Sequence, residues 1–532
     1  MSDLETDVIN AIARKPCQDT THRIHYTAGG RLHSLTLAEL DVKATAVAHR
    51  LYALGVRRRS RVGIVSRNRI EWLLLDLAVL KLGAVTAGFE SDRFDPAQVG
   101  AAFSLAVTFA EDTGAVGAGT VLAMDDVAGW ADEPDVAPLS PHPDYDPADI
   151  CTIKFTSGST GEPKGLEATV ASINSDMVAV QEMFHHTDGD NLLSFMGMWF
   201  LQQRYWVYSA LVYGHDITMA TYDEALDIAP LAKPTVVMGV PGFYEELMAR
   251  LEATGPIPEL DRRRDEVQRR LGGRIRYLWT GSAPARRVLL EFFNDCGVPL
   301  YEGYGLTEVC IVSKNHPGAF RPGSVGKLLP GKTIRFAENG ALIFGSSQPV
   351  NTRYTWAAPG VNEQTFLPTG EVKTADIGYL DEDGFLYLRG RVDDYFSLTT
   401  GRTVFVSKIE EKLRAHPDVH QCALYGTDRG YLSVVISPAS PQADRESIRR
   451  FVIECNQGVP VEERIHAVVL APEPFSMDNG LLTRQLKLRR KDVHERFAEE
   501  LEAVYREPDP GWDSPLLVTA RSTSMSKARK TI

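Results

Sequence analysis

The segment Thr156-Ser157-Gly158-Ser159-Thr160-Gly161-Glu162-Pro163-Lys164-Gly165 directly follows the apolar, strand-like run Cys151–Phe155. Its glycines let backbone amides approach a polyphosphate, while four hydroxyls and one lysine can bind the oxygens. This is the pattern of a triphosphate cradle. It is not the GxxxxGK[ST] loop, because the lysine follows a proline and no helix-opening GK[ST] is present. A flexible Ser/Gly linker fits less well, since linkers rarely end in a PKG triplet beside a buried strand.

Composition limits what else the chain can bind. Its 532 residues carry 57 Lys+Arg against 70 Asp+Glu, a net charge of −13. Such a chain is repelled by phosphate backbones and anionic lipid heads, so neither nucleic acid nor a membrane surface is an expected partner. With 44% hydrophobic and 24% charged residues it reads as globular, and its length predicts more than one domain. The six cysteines, Cys17, Cys151, Cys296, Cys310, Cys422 and Cys455, show no metal-ligand spacing and read as reduced, mostly buried residues. The acidic N-terminus lacks a secretory pattern, and the most apolar run, Trp72 to Leu82, is interrupted by Asp76 and Lys81. The expectation is a cytoplasmic protein.

Strand and helix patterns alternate through the first half. Glu71 to Leu82 has leucines at helical spacing, and Arg61–Val65, Ile217–Ala220, Thr235–Gly239 and Ile275–Thr280 are short, apolar and β-branched. Helices are expected over Tyr244–Glu252 and Ala285–Asp295, which makes parallel crossover units the natural architecture. Residues 130–149 are rich in Pro and Asp and read as a linker. From Gly326 the texture turns to strands and turns, and beyond Asp393 a small α+β unit follows. The fold class is α/β: a large N-terminal domain of mixed sheets packed by helices (1–392), a small mobile α+β domain (393–507), and a tail (508–532) expected to be disordered. Arg57-Arg58-Arg59 reads as a solvated charge run.

Three further clusters carry chemistry. Tyr301-Glu302-Gly303-Tyr304-Gly305-Leu306-Thr307-Glu308 offers an aromatic ring for a base, a hydroxyl for phosphate and a carboxylate for Mg²⁺. Thr374-Ala375-Asp376 and Gly390-Arg391 pair a carboxylate suited to ribose hydroxyls with an arginine that can reach the same sugar or a phosphate. The fourth, Leu482 to Arg490, is a basic run that includes Lys487.

In this order the four clusters resemble the adenylate-forming superfamily of acyl-CoA synthetases, adenylation domains and luciferases, over about residues 20–507. Pro234–Leu247, Gly272-Gly273-Arg274, Arg321-Pro322-Gly323 and the leucine-rich last lysine motif are similar to those of bacterial long-chain acyl-CoA synthetases. The resemblance implies that Thr156, Ser157, Gly158, Ser159, Thr160, Gly161 and Lys164 close over the β- and γ-phosphates. It implies that Glu302, Tyr304 and Gly305 lie at the nucleotide, with Tyr304 against adenine. Thr307 would contact the α-phosphate or the substrate oxyanion, and Glu308 would ligate Mg²⁺. Asp376 and Arg391 would hold the ribose, Asp393 would be the hinge of the small domain, and Lys487 would bridge the α-phosphate and the attacking oxygen. The acid pocket would be lined by Trp199, Phe200, Arg204, Gly281 and Ser282. The cofactors implied are ATP and Mg²⁺, with CoA as co-substrate.

Several positions depart from that pattern. Thr374-Ala375-Asp376 replaces Thr-Gly-Asp, Thr169-Val170 replaces a Thr-His pair, and Phe200 stands near a customary histidine. Thr400 interrupts the glycines after the hinge, which bears on the pantetheine channel. Met196, Met198, Trp199, Phe200 and Tyr205 fit either helix core or a pocket wall for a flat aromatic acid. The leading function is therefore an ATP-dependent acid–CoA ligase acting on a fatty or aromatic acid. The alternatives are adenylating enzymes with another acceptor: an amine, a carrier protein, or nitrite with an aromatic amine.

Overall fold

The strand that leads into the hydroxyl-rich loop, Ile150–Ser157, lies inside a sheet, between the antiparallel strand Pro163–Thr169 and the parallel strand Val85–Phe89. The structure is a computed structural model. It describes residues 4–520 apart from 92–93, 112–119, 134–138, 140–142, 158–162, 253–259, 358, 393–394, 400–402, 428, 483–487 and 507. Among the described residues this sheet has seven strands, in the order Tyr354–Trp356, Pro163–Thr169, Ile150–Ser157, Val85–Phe89, Arg61–Val65, Val107–Ala110 and Val121–Ala123. Among the described residues a second sheet has nine strands, with a parallel centre formed by Asp216–Met219, Asn191–Ser194, Val236–Gly239, Tyr277–Thr280 and the start of Leu300–Leu306. The short apolar runs of the sequence thus become the buried parallel strands, which are covered on both faces and need no polar alternation.

The helix Ile70–Lys81 shows how the large body holds together. Every residue except Glu71 is buried, as expected of a helix that is apolar on all sides. Its two interior charges are each paired: Lys81 with Asp41 at 2.7 Å, and Asp76 with Arg204 at 3.1 Å. A buried charge without such a partner would cost several kcal/mol, roughly, so these pairs constrain how the helix docks.

Backbone contacts divide the chain into two compact units. The first holds Met1–Ala337, Leu342–Thr374 and Tyr379–Leu388, and the second holds Glu338–Ala341, Ala375–Gly378 and Arg389–Ile532. In the second unit a sheet runs Val419–Tyr425, Leu432–Pro438, Ile465–Leu470 and Leu516–Thr519. The helix Arg445–Gln457 belongs to the same unit, with the Asp444 carboxylate accepting from the Glu446 and Ser447 amides, which satisfies its orphan donors.

Two expectations are corrected. The tail from residue 508 is not disordered throughout: Leu516–Thr519 adds to the sheet edge, parallel to Ile465–Leu470. Four apolar or β-branched residues were masked by the Pro- and Ser-rich sequence around them. Nor is Arg57-Arg58-Arg59 simply solvated, because Arg58 and Arg59 both pair with Asp149, whose side chain is 7% exposed. Together they hold the segment that enters Ile150–Ser157. The cysteines are free, four of them buried, and among the described residues no helix is long and apolar enough to cross a membrane.

Candidate active site

The antiparallel register of Ile150–Ser157 with Pro163–Thr169 sets Thr156 opposite Lys164 and Ser157 opposite Pro163. The connecting residues Gly158, Ser159, Thr160, Gly161 and Glu162 lie outside the described residues, as do the side chains of Thr156 and Ser157. Lys164 is described, and its Nζ lies 5.1 Å from the centre of the Tyr354 ring, within cation–π reach. Tyr354 is held there because Tyr354–Trp356 pairs antiparallel with Pro163–Thr169. Gly165 has to be glycine at this crossing, since a Cβ on it would come within 2.0 Å of the Trp356 ring.

Tyr354 also reaches the second cluster. Its hydroxyl donates to Glu308 Oε1 at 2.6 Å, and burial followed by the Glu308 charge pushes the phenol well above its ordinary range. The backbone beside Glu308 is gripped by three side chains. Lys154 Nζ donates to the Thr307 carbonyl at 2.6 Å, Asn351 Nδ2 donates to the carbonyls of Thr307 and Glu308 at 3.1 and 2.8 Å, and Lys332 Nζ lies 3.5 Å from the Val309 carbonyl. Lys332 is in turn paired with buried Asp176 at 2.8 Å. Burial lowers the Lys154 pKa, opposed by nearby anionic groups. Sequence reasoning missed these supports. A lysine inside the apolar strand Ile150–Ser157 was the available signal for Lys154, whereas Asn351 and Tyr354 stand in an aperiodic segment.

The strand Leu300–Leu306 carries the rest of the cluster. Its register slips between Tyr304 and Gly305, where a Cβ on Gly305 would meet the Cys310 carbonyl at 2.2 Å. The bulge re-aims the residues that follow it. Tyr304 is half-buried, its ring 5.8 Å from that of Phe344. The Glu302 carboxylate accepts from the Ala285 amide at 3.1 Å. It thereby ties down the loop after Tyr277–Thr280 that contains Gly281 and Ser282. Burial raises the Glu302 pKa to about 7, with that hydrogen bond and Lys314 opposing. Ser282 is exposed in a left-handed conformation at φ 68°, and Gly281 lies under the Gly303 carbonyl.

Of the expected acid-pocket residues, Arg204 stands in the core. Trp199 and Phe200 are half-buried, their rings 5.9 Å apart, with Trp199 lying over Gly88 and Gly197. Arg204 does not line a pocket: it is fully buried, and its guanidinium donates to Asp76 at 3.1 Å and to Thr152 at 2.7 Å. Tyr208 completes the cluster by donating to the second Asp76 oxygen at 2.6 Å. The helix Leu201–Tyr213 turns this residue toward the core.

In the second unit Arg391 donates to Asp376 at 3.3 Å, the aspartate side chain being 12% exposed and the arginine 46%. Asp393, Thr400 and Lys487 lie outside the described residues. The segment around Lys487 is framed by a bridge between Leu482 and Leu488 and by the Arg490–Glu410 pair at 2.5 Å. Among the described residues no three His, Cys, Asp or Glu side chains are grouped to hold a metal.

Two family models match the chain: "AMP-binding enzyme" over residues 12–341 and "AMP-binding enzyme C-terminal domain" over residues 393–509. Long-chain-fatty-acid–CoA ligase FadD15 of Mycobacterium bovis is 28% identical over 88% of this chain and 92% of its own length. The 2-succinylbenzoate–CoA ligase of Geobacillus kaustophilus is also 28% identical, over 88% of this chain and 95% of its own. ATP-bound MatB from Rhodopseudomonas palustris has the same fold, with a TM-score of 0.77 and 21% identity over 93% of this chain and 100% of its own.

Proposed function

The chain belongs to the AMP-binding enzyme family, and on that premise we propose that it is an AMP-forming ligase that joins a carboxylic acid to CoA. ATP is consumed in the first half-reaction, where a carboxylate oxygen attacks the α-phosphorus, the bond to pyrophosphate breaks, and acyl-AMP forms. In the second, the CoA sulfur attacks the acyl carbon, AMP leaves with the C–O bond pair, and the thiol proton passes to solvent. The relatives named for fatty-acid and succinylbenzoate CoA ligation support this acceptor over an amine, a carrier protein or nitrite.

The observation that carries the reading is the contact chain Lys164–Tyr354–Glu308, at 5.1 and 2.6 Å. It links the phosphate-type loop to the acidic motif, although the two are far apart in sequence. Lys164 supplies positive charge beside the loop. Glu308 would hold Mg²⁺, which neutralises charge building on the phosphates when bound. Thr307 would meet the α-phosphate from a backbone whose carbonyl Lys154 and Asn351 hold. Asp376 and Arg391 take the ribose in this assignment, and Lys487 stabilises the charge that grows as the carboxylate attacks.

The test is pyrophosphate release from ATP with a panel of aliphatic and aryl acids, run with and without CoA. Acid-dependent pyrophosphate and a CoA thioester are expected. Turnover that requires nitrite and an arylamine, and ignores CoA, would overturn the reading.

A further inference from the structure

Lys314 ends the strand Cys310–Lys314 opposite Gly303, one residue before Tyr304. It is 2% exposed. Its chain lies flat over Gly303, so that Nζ sits 2.5 Å from where a Cβ on that glycine would be. The ammonium stands 3.3 Å from the ring centre of Trp279 and 3.4 Å from the Thr280 carbonyl. Among the described residues it has no other hydrogen-bond acceptor and no carboxylate in ion-pair contact. Glu302 attracts it from the far side of the strand, since successive strand residues point to opposite faces, but the Glu302 carboxylate is bonded to the Ala285 amide.

The surroundings hold a surplus of donors. The Trp279 indole N–H is buried without a partner, and so is that of Trp206, whose ring packs edge-on at 4.7 Å. An ammonium and two indole N–H groups thus share one buried neighbourhood, in which, among the described residues, the ammonium's one hydrogen-bond acceptor is the Thr280 carbonyl at 3.4 Å. A cation over an indole face recovers about 2 kcal/mol when desolvated, less than the several kcal/mol, roughly, that burying a charge costs. Burial accordingly drives the Lys314 pKa well below that of an ordinary lysine, with Glu302 opposing. Fatty methylenes would offer these donors no further acceptor.

We propose that Lys314 is a specificity-determining residue that binds a second anionic group on the carboxylic acid, so that the substrate is a compact diacid or an arene acid bearing a further anion. The proposal rests on the ligase reading and deepens it. A bound second anion supplies the anionic partner that the lysine lacks and favours its charged form. An acid without that group gains no such ion pair, a difference that discriminates between otherwise similar substrates.

The experiment measures adenylation by trapping acyl-AMP with hydroxylamine for matched acids, succinate against butyrate and phthalate against benzoate, with octanoate added, in the full-length protein and in Lys314→Met. The wild type is expected to favour the diacid in at least one pair by about tenfold or more in kcat/KM. Lys314→Met is expected to collapse that ratio while leaving the KM for ATP unchanged and the melting temperature no lower. Lys314→Gln serves as the second variant should Lys314→Met fail to fold. Preference for the monoacid in both pairs, or a ratio unmoved by the substitutions, overturns the assignment of Lys314. Absence of turnover with every acid, octanoate included, overturns the ligase reading itself.

Discussion

The Tyr354 hydroxyl donates a 2.6 Å hydrogen bond to one oxygen of Glu308, and the face of the same ring lies 5.1 Å from the Lys164 ammonium. One aromatic side chain, from a strand that neither motif contains, therefore sets the distance between the phosphate-loop lysine and the carboxylate assigned to Mg²⁺. Tyr354→Phe keeps the ring and removes the hydrogen bond. A hydrogen bond to a charged group contributes about 1.5–3 kcal/mol, so kcat/KM for adenylation should fall by at least about tenfold. The Mg²⁺ concentration for half-maximal rate should rise, as read by pyrophosphate release across a Mg²⁺ titration.

Lys487→Ala separates the half-reactions. Losing a cation placed on the developing transition-state charge should lower acyl-AMP formation by about 10²-fold or more. Thioester formation from chemically prepared acyl-AMP and CoA should persist. Near-normal adenylation in this variant would assign the role to another lysine.

Arg204 distinguishes a core from a pocket. Arg204→Met strands Asp76 in the interior with only the Tyr208 hydroxyl, and breaking a buried pair in this way costs about 3–5 kcal/mol. A marked drop in melting temperature is expected, with the KM for the acid unchanged in the protein that remains folded. An altered acid KM without loss of stability would return Arg204 to the pocket wall.

Glu302 makes stability depend on pH with a definite sign. Its folded pKa of about 7 lies above the ordinary 4.5, so the protonated form favours the folded state. That contribution is complete below about pH 4.5 and is lost as pH rises through about 7, amounting to about 3 kcal/mol at 1.36 kcal/mol per unit. Glu302→Gln should remove this decline. Melting temperatures of the two proteins between pH 5 and 8 check it.

Much of this was legible in the chain. Short β-branched runs such as Arg61–Val65 and Ile275–Thr280 correspond to the buried strands Arg61–Val65 and Tyr277–Thr280, because apolar content and length suffice for parallel strands. The chemistry assigned to the loop from Thr156 rests on residue type alone. What stayed hidden depends on direction and distance. Arg204 occupies a familiar place in the motif order, yet the turn of its helix aims it at Asp76. Tyr354 and Asn351 come to Glu308 only through the pairing of a three-residue strand. Lys314 ends a short apolar run, and only its pairing with the strand Leu300–Leu306 brings it against Gly303.

The central claim is that the carboxylate itself attacks the α-phosphorus. An acid labelled with ¹⁸O in its carboxylate, incubated with the enzyme, ATP, Mg²⁺ and CoA, tests this by mass spectrometry of the AMP produced. One labelled oxygen in each AMP phosphate, with one equivalent each of pyrophosphate and thioester, is the predicted result. Unlabelled AMP, or ADP with inorganic phosphate in place of AMP with pyrophosphate, would contradict it.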